Sequence, residues 1–212
     1  FPDGHNLVYS GPVANGWSAT AEKRECPPCD TLILDSKYGT PEFRFPAQKR
    51  VESRLLDWIA EQHKEGKIPV LLCANPGKAQ DLIHLLGNNG HIPRVHRSIY
   101  LFKKAYLELG IELPSCRQLR GAPSPGEVVI WPDTTKIPAN LLESKDVVFG
   151  TLTGEKIVDS KHEHFQWSCR ADFKNLMKYI DAMKPTRTIV VGPNAMTLSD
   201  HLNTKTAYNA EA

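Results

Sequence analysis

The sequence predicts an α/β protein, on two observations. Short runs rich in Val, Ile and Leu alternate with longer segments of helical period through almost the whole 212 residues. Gly, Pro and Asn punctuate the joints between them.

Each element follows from its residues. LVYSG (7–11) and TLILDS (31–36) read as strands separated by a polar loop. In PAQKRVESRLLDWIAEQHKEG (46–66), Val51, Leu55, Leu56 and Ile59 fall on one helical face, with Pro46 before them and Gly66 after them, so the helix has both ends marked. IPVLLCA (68–74) is a buried strand, and KAQDLIHLLGNNG a helix closing on Gly and Asn. PRVHR, the helix IYLFKKAYLELG and the strand EVVIWP (127–132) repeat the order, with a loop over LRGAPSPGE. DVVFGTL (146–152) and KIVD read as a hairpin pair. The helix DFKNLMKYIDAM, the strand TRTIVVG and the helix TLSDHLN follow, and the tail TKTAYNAEA is expected to fray. There is no internal repeat.

Bulk properties constrain function weakly. With 26 basic and 24 acidic residues the net charge is +2, so attraction to phosphates must come from local patches. That balance neither demands nor forbids DNA or RNA. No apolar run approaches the roughly 20 residues of a membrane span, and FPDGHNLVYSG lacks the layout of a secretory signal, so no membrane association and a cytoplasmic location are expected. Cys26 and Cys29 form CPPC, but no second pair follows at zinc-finger spacing, and the motif precedes a strand where a redox pair opens a helix. A loop with incidental thiols is the expectation.

Three stretches carry a family likeness. TLILDSKYGTPEFRFP, PVLLCANPGKAQDLIHLL and VHRSIYLFKKAYLELGIELP, in that order, resemble the β-CASP branch of the metallo-β-lactamase fold. The likeness is nearest to ligase-associated DNA exonucleases and to exonucleases related to messenger RNA 3′-end processing factors. It implies a partial metallo-β-lactamase αββα sandwich carrying a β-CASP α/β insertion. Residues 1–45 and 151–212 would belong to the sandwich and 46–150 to the insertion. The H-x-H-x-D-H loop that supplies most of the family's zinc ligands does not occur, so the sequence is either a fragment or a protein that has shed that half.

The resemblance also implies zinc-assisted phosphodiester hydrolysis, and its ligand positions are read one by one. Pro12 stands where the family has a metal-bridging aspartate, while the acidic strand end is kept as Asp35. The S-x-H-A-D loop appears as Ser168, Cys169, Arg170, Ala171 and Asp172, placing a guanidinium where an imidazole belongs. The H-G-E sequence becomes Val191, Gly192, Pro193. The expectation is therefore no active catalytic residue, with Asp35, Ser168 and Asp172 as remnants, and no bound metal or cofactor.

Plainer readings stand beside these. Asp172 is placed to N-cap the following helix, and Asp35 to accept backbone hydrogen bonds. Gly77 to Gln80 is either a phosphate-receiving helix start, with Lys78 and Gln80 binding an anion, or an ordinary capped helix. Arg94, Arg97, Lys103 and Lys104 form a basic strip or solvate a helix, and His162 and His164 form an H-x-H on an exposed hairpin. Arg170, costly to bury unpaired, is expected to meet a phosphate or a carboxylate, Asp35 or Asp172.

Two functions follow. One is a catalytically silent scaffold or nucleic-acid-positioning subunit with a protein partner or a second copy of itself. The other is an active metal-dependent exonuclease whose missing zinc ligands come from an upstream segment or partner. Pro12, Arg170 and Val191 favour the first, since no added segment restores those positions.

Overall fold

The computed structural model describes residues 4–157, 161–205 and 209–212. The chain is α/β, with every strand in one of two parallel sheets and six helices among the described residues. None of these helices is long and apolar enough to cross a membrane. Two compact units are present, one of residues 1–17, 22–45 and 169–212, the other of 18–21 and 46–168.

In the first unit, strands β1 (Leu7–Tyr9), β2 (Thr31–Asp35), β9 (Arg187–Val191) and β10 (Ala210–Glu211) form a parallel sheet in the order β1-β2-β9-β10. Because strand side chains alternate, the register places Val8, Leu32, Leu34, Val190 and Ala210 on one face. That face packs on Leu176, Ile180 and Met183 of helix α5 (Phe173–Met183) and on Leu198 and Leu202 of helix α6 (Ala195–Lys205). The opposite face carries Leu7, Tyr9, Ile33, Ile189 and Val191. No core cluster among the described residues includes them, and Leu7, Tyr9 and Val191 are 43%, 67% and 38% exposed. Parallel sheets ordinarily have both faces covered; among the described residues this second face is only partly covered, with Thr31 buried and Leu7, Tyr9 and Val191 open.

The second unit holds helices α1 (Gln48–Lys64), α2 (Lys78–Asn88), α3 (Arg97–Glu108) and the short α4 (Ala139–Leu142). Its strands are β3 (Ile68–Cys73), β4 (Arg94–Val95), β5 (Arg117–Gln118), β6 (Val129–Pro132), β7 (Val147–Thr153) and β8 (Glu163–Gln166). They form a sheet in the order β5-β4-β6-β3-β7-β8. All six residues of β3 are buried because both faces are covered. Leu71 and Cys73 pack with Val51, Leu55 and Ile59 of α1, whereas Val70 and Leu72 pack with Trp131 and Leu141. Truncating one of these fully enclosed leucines to alanine costs about 2–5 kcal/mol.

Several expectations are corrected. β7 pairs in parallel with β3 and β8; of KIVD, expected to form a hairpin with it, Val158 and Asp159 lie outside the described residues. Residues 151–168, placed with 169–212 in the domain expectation, lie in the second compact unit, where β7 and β8 belong to its sheet. The tail, expected to fray, ends in β10, where Ala210 and Glu211 register on Thr188 and Ile189. His162 and His164 are half-buried at β8 and not on an exposed hairpin.

Candidate functional site

In the first unit, β2 and β9 end side by side, with Asp35 in register with Val191. Val191 O accepts from Ser36 N–H at 2.9 Å and from Ser36 Oγ at 2.9 Å, which locks the two strand ends together. The chain then turns at Gly192 with φ 101°, a conformation costly for other residues. A Cβ there would meet Ser36 and Asp35 only at ordinary van der Waals distances of 3.6–3.9 Å, so the backbone conformation and not crowding calls for glycine.

Asp35 is held from two sides. Its Oδ1 accepts from Lys37 N–H at 2.9 Å, and its Oδ2 from Arg170 Nη1 at 2.9 Å. Arg170 is aimed by its backbone, because residues 169–171 run antiparallel to 13–15. Asn15 N–H donates to Cys169 O at 3.2 Å and Ala171 N–H to Val13 O at 2.7 Å. The side chains are 41% and 22% exposed, so this is a solvent-facing pair and not a buried one.

Asp172, 4% exposed, is fully engaged. Oδ1 accepts from Asn175 N–H at 2.9 Å and from the Asn175 amide at 2.8 Å, and Oδ2 from Phe45 N–H at 3.0 Å. It is the N-cap of α5, as its position in the sequence indicates. Asn15 completes the group by accepting from Asp172 N–H at 3.2 Å and Asn175 Nδ2 at 2.9 Å, a role no sequence signal marks. Ser168 is half-buried and is the last residue of the second unit, while Cys169 to Asp172 belong to the first.

A zinc ion does not fit this corner. Pro12 is exposed and has no donor atom, Val191 is aliphatic, Asp172 is consumed by capping, and Asp35 already faces a guanidinium. Among the described residues, no three His, Cys, Asp or Glu side chains converge as a metal-holding group. Cys26 and Cys29 are free thiols; burial, then the neighbouring Asp30 carboxylate, raises the pKa of Cys29.

The remaining candidates lie in the second unit. Lys78 is 3% exposed; its Nζ lies 3.5 Å from Asp81 Oδ2 and 4.1 Å from the centre of the Trp167 ring. Asp81 Oδ1 also accepts from Ser18 Oγ at 2.8 Å and Thr20 Oγ1 at 3.1 Å. Gln80 is fully buried, and its Oε1 accepts from Gly77 N–H at 2.7 Å. The capped-helix reading of Gly77 to Gln80 accounts for both residues, and burial keeps them from a solvent anion. The strip is broken as well, since Arg94 lies 3.5 Å from Glu127. Arg97, exposed at the start of α3, has no ion pair among the described residues.

No protein-family model matches the chain. It is 23% identical over 192 residues to a probable DNA ligase of Opitutus terrae, a match covering 88% of this chain and 19% of the ligase. It is 30% identical over 88 residues to an RNase J-like protein of Methanocaldococcus jannaschii, covering 41% of this chain and 21% of that protein. The chain thus spans about a fifth of the length of these curated relatives. A crystal structure of a protein of unknown function from Enterococcus faecalis V583 matches the whole chain and 56% of its own with a TM-score of 0.58 at 13% identity, a likeness of fold.

Proposed function

We propose that this chain is a catalytically silent relative of the β-CASP nucleases that acts as a scaffold or nucleic-acid-positioning subunit in DNA or RNA processing. The observation that carries the reading is the Arg170–Asp35 pair at the joined ends of β2 and β9. A metallonuclease needs neutral imidazoles and carboxylates at such a corner to hold zinc and make hydroxide. A guanidinium 2.9 Å from the surviving carboxylate repels a metal cation and offers phosphate a charge-assisted donor. Similarity to a probable DNA ligase and to an RNase J-like protein supports nucleic acid as the setting. In this reading the first unit is the metallo-β-lactamase-like part and the second the β-CASP-like insertion. The partly covered sheet face of the first unit supports a role in assembly with a protein partner or a second copy.

The test pairs binding with turnover. Fluorescence anisotropy should register binding of single-stranded DNA or RNA oligonucleotides, and incubation with zinc or manganese should release no cleaved product. Hydrolysis that disappears in Asp35→Ala overturns the proposal in favour of a working metal-dependent nuclease.

A further inference from the structure

The second unit contains a cavity that the Arg170 corner does not involve. Strand order sends the connection from β4 to β5 one way along the sheet, and those from β5 to β6 and β6 to β7 the other way. Right-handed crossovers then leave on opposite faces. A crevice opens beyond the carboxyl ends of these strands, where open parallel sheets take ligands. A cavity of about 320 Å³ lies there, lined by His96, Arg97, Leu119, Trp131, Pro138 and Asn140 among others.

One string of hydrogen bonds orients its donor. Gly77 N–H donates to Gln80 Oε1 at 2.7 Å, Gln80 Nε2 to Asn75 Oδ1 at 3.2 Å, and Asn75 Nδ2 to Ser98 Oγ at 3.2 Å. Ser98 Oγ lies 2.8 Å from His96 Nδ1, which also accepts from Ser98 N–H at 3.2 Å. An Nδ1 that accepts a backbone N–H carries no proton, so the neutral ring is protonated at Nε2. Burial lowers the pKa of His96, which keeps that neutral tautomer near pH 7. The ring is steadied edge-on against Trp131, with centroids 4.4 Å apart. Nε2 makes no hydrogen bond among the described residues, nor do the side chains of Arg97 and Asn140.

We infer that this cavity binds a nucleoside monophosphate, its phosphate on Arg97 and His96 Nε2–H and its base along Leu119, Trp131 and Pro138, with the Asn140 amide at the base edge. The size matches one nucleotide and not a strand, because small-ligand pockets begin at roughly 300 Å³. Inorganic phosphate leaves the apolar wall unused, and a bare nucleoside leaves the Arg97 charge unmet. Gln80, Asn75 and Ser98 are positioning residues, acting through His96. The inference goes beyond the reading of the Arg170 corner, and the two stand or fall separately.

Uridine 5′-monophosphate titrated into the whole chain and followed by NMR and calorimetry is the test. Expected are shifts at His96, Gly121 and the Trp131 indole, with binding at least about tenfold tighter than that of uridine or inorganic phosphate. Arg97→Ala should weaken binding about tenfold, the effect of one charge-assisted contact, while Arg170→Ala leaves it unchanged. Equal affinity for inorganic phosphate, no shift at these residues at about 1 mM nucleotide, or indifference to Arg97→Ala overturns the inference.

Discussion

Arg170 reaches across 135 residues of sequence to place Nη1 2.9 Å from Asp35 Oδ2, so the loop that leads into α5 is tied to the end of β2 by an ion pair. Its exposure sets its energetic weight. Arg170→Ala is predicted to lower stability by only about 1 kcal/mol, because a solvent-facing pair is screened, well short of what a fully enclosed guanidinium would impose. Asp35→Ala should remove the carboxylate that competes with phosphate for the Arg170 guanidinium and tighten oligonucleotide binding. Urea unfolding and anisotropy at fixed salt measure the two effects, and weaker oligonucleotide binding by Asp35→Ala would count against a phosphate-facing Arg170.

Asp172 is the opposite case. Alanine there removes the α5 cap and strands the N–H of Phe45, so a loss of about 2–4 kcal/mol is expected. Asp172→Asn should lose less, since one oxygen still accepts from Asn175. Equal destabilisation by the two variants, measured by chemical denaturation, would show that the cap is not what the carboxylate supplies.

Lys78 and Asp81 form a buried pair whose members depend on each other. Removing either alone should cost about 3–5 kcal/mol. The methylene stem of Lys78→Met can still pack on Trp167 but leaves Asp81 with only Ser18 and Thr20, so this variant should also destabilise. Neither change should alter the binding of an oligonucleotide, which distinguishes a structural lysine from a phosphate ligand.

Three histidines of the second unit predict an acid limit. His91, His96 and His164 all have pKa values below the ordinary 6.5, in each case chiefly through burial, with His63 adding to the effect on His91 and Arg54 on His164. Below 6.5 the unfolded chain takes up protons that the folded one refuses, so their stabilising contribution is complete above that value and declines as pH drops towards the folded pKa values. His164 Nε2 is buried without a hydrogen-bond partner. His164→Gln should therefore flatten the fall in melting temperature between about pH 7 and 5; an unchanged slope would remove this histidine from the account.

The partly covered sheet face predicts association. Sedimentation should show a concentration-dependent dimer or capture of a partner, abolished by Tyr9→Lys with Val191→Lys, since both side chains lie on that face and are 67% and 38% exposed. A monomer at all concentrations that also captures no partner would contradict it.

What the sequence discloses depends on how local the cause is. The alternation around Leu32 and Leu34, and the Val51, Leu55, Ile59 stripe, announce their elements because burial repeats with the backbone period. The N-cap at Asp172 is equally local. β5 and β10 are two residues each, too short to carry a period, and exist through their neighbours. β8 was hidden because its partner is parallel and its residues EHFQ look like a polar surface. Lys78 reads as a phosphate ligand in sequence, and only the non-local arrival of Trp167, Ser18 and Thr20 turns it inward. The string from Gln80 to His96 is legible only once α2 and α3 start side by side.

The interleaving of the two units bears on the order in which the chain folds. The sheet of the second unit is built wholly from strands between residues 68 and 166, so it can close early during synthesis. In the first unit β2 waits for β9, whose Val191 joins Ser36 across a separation of 155 residues. Loop-closure entropy must be overcome before that pairing is rewarded. A finished second unit shortens the effective loop by holding residues 46 and 168 in one body. The Arg170–Asp35 contact is therefore among the last to form, and a chain interrupted before residue 187 would present β2 as an unpaired apolar edge.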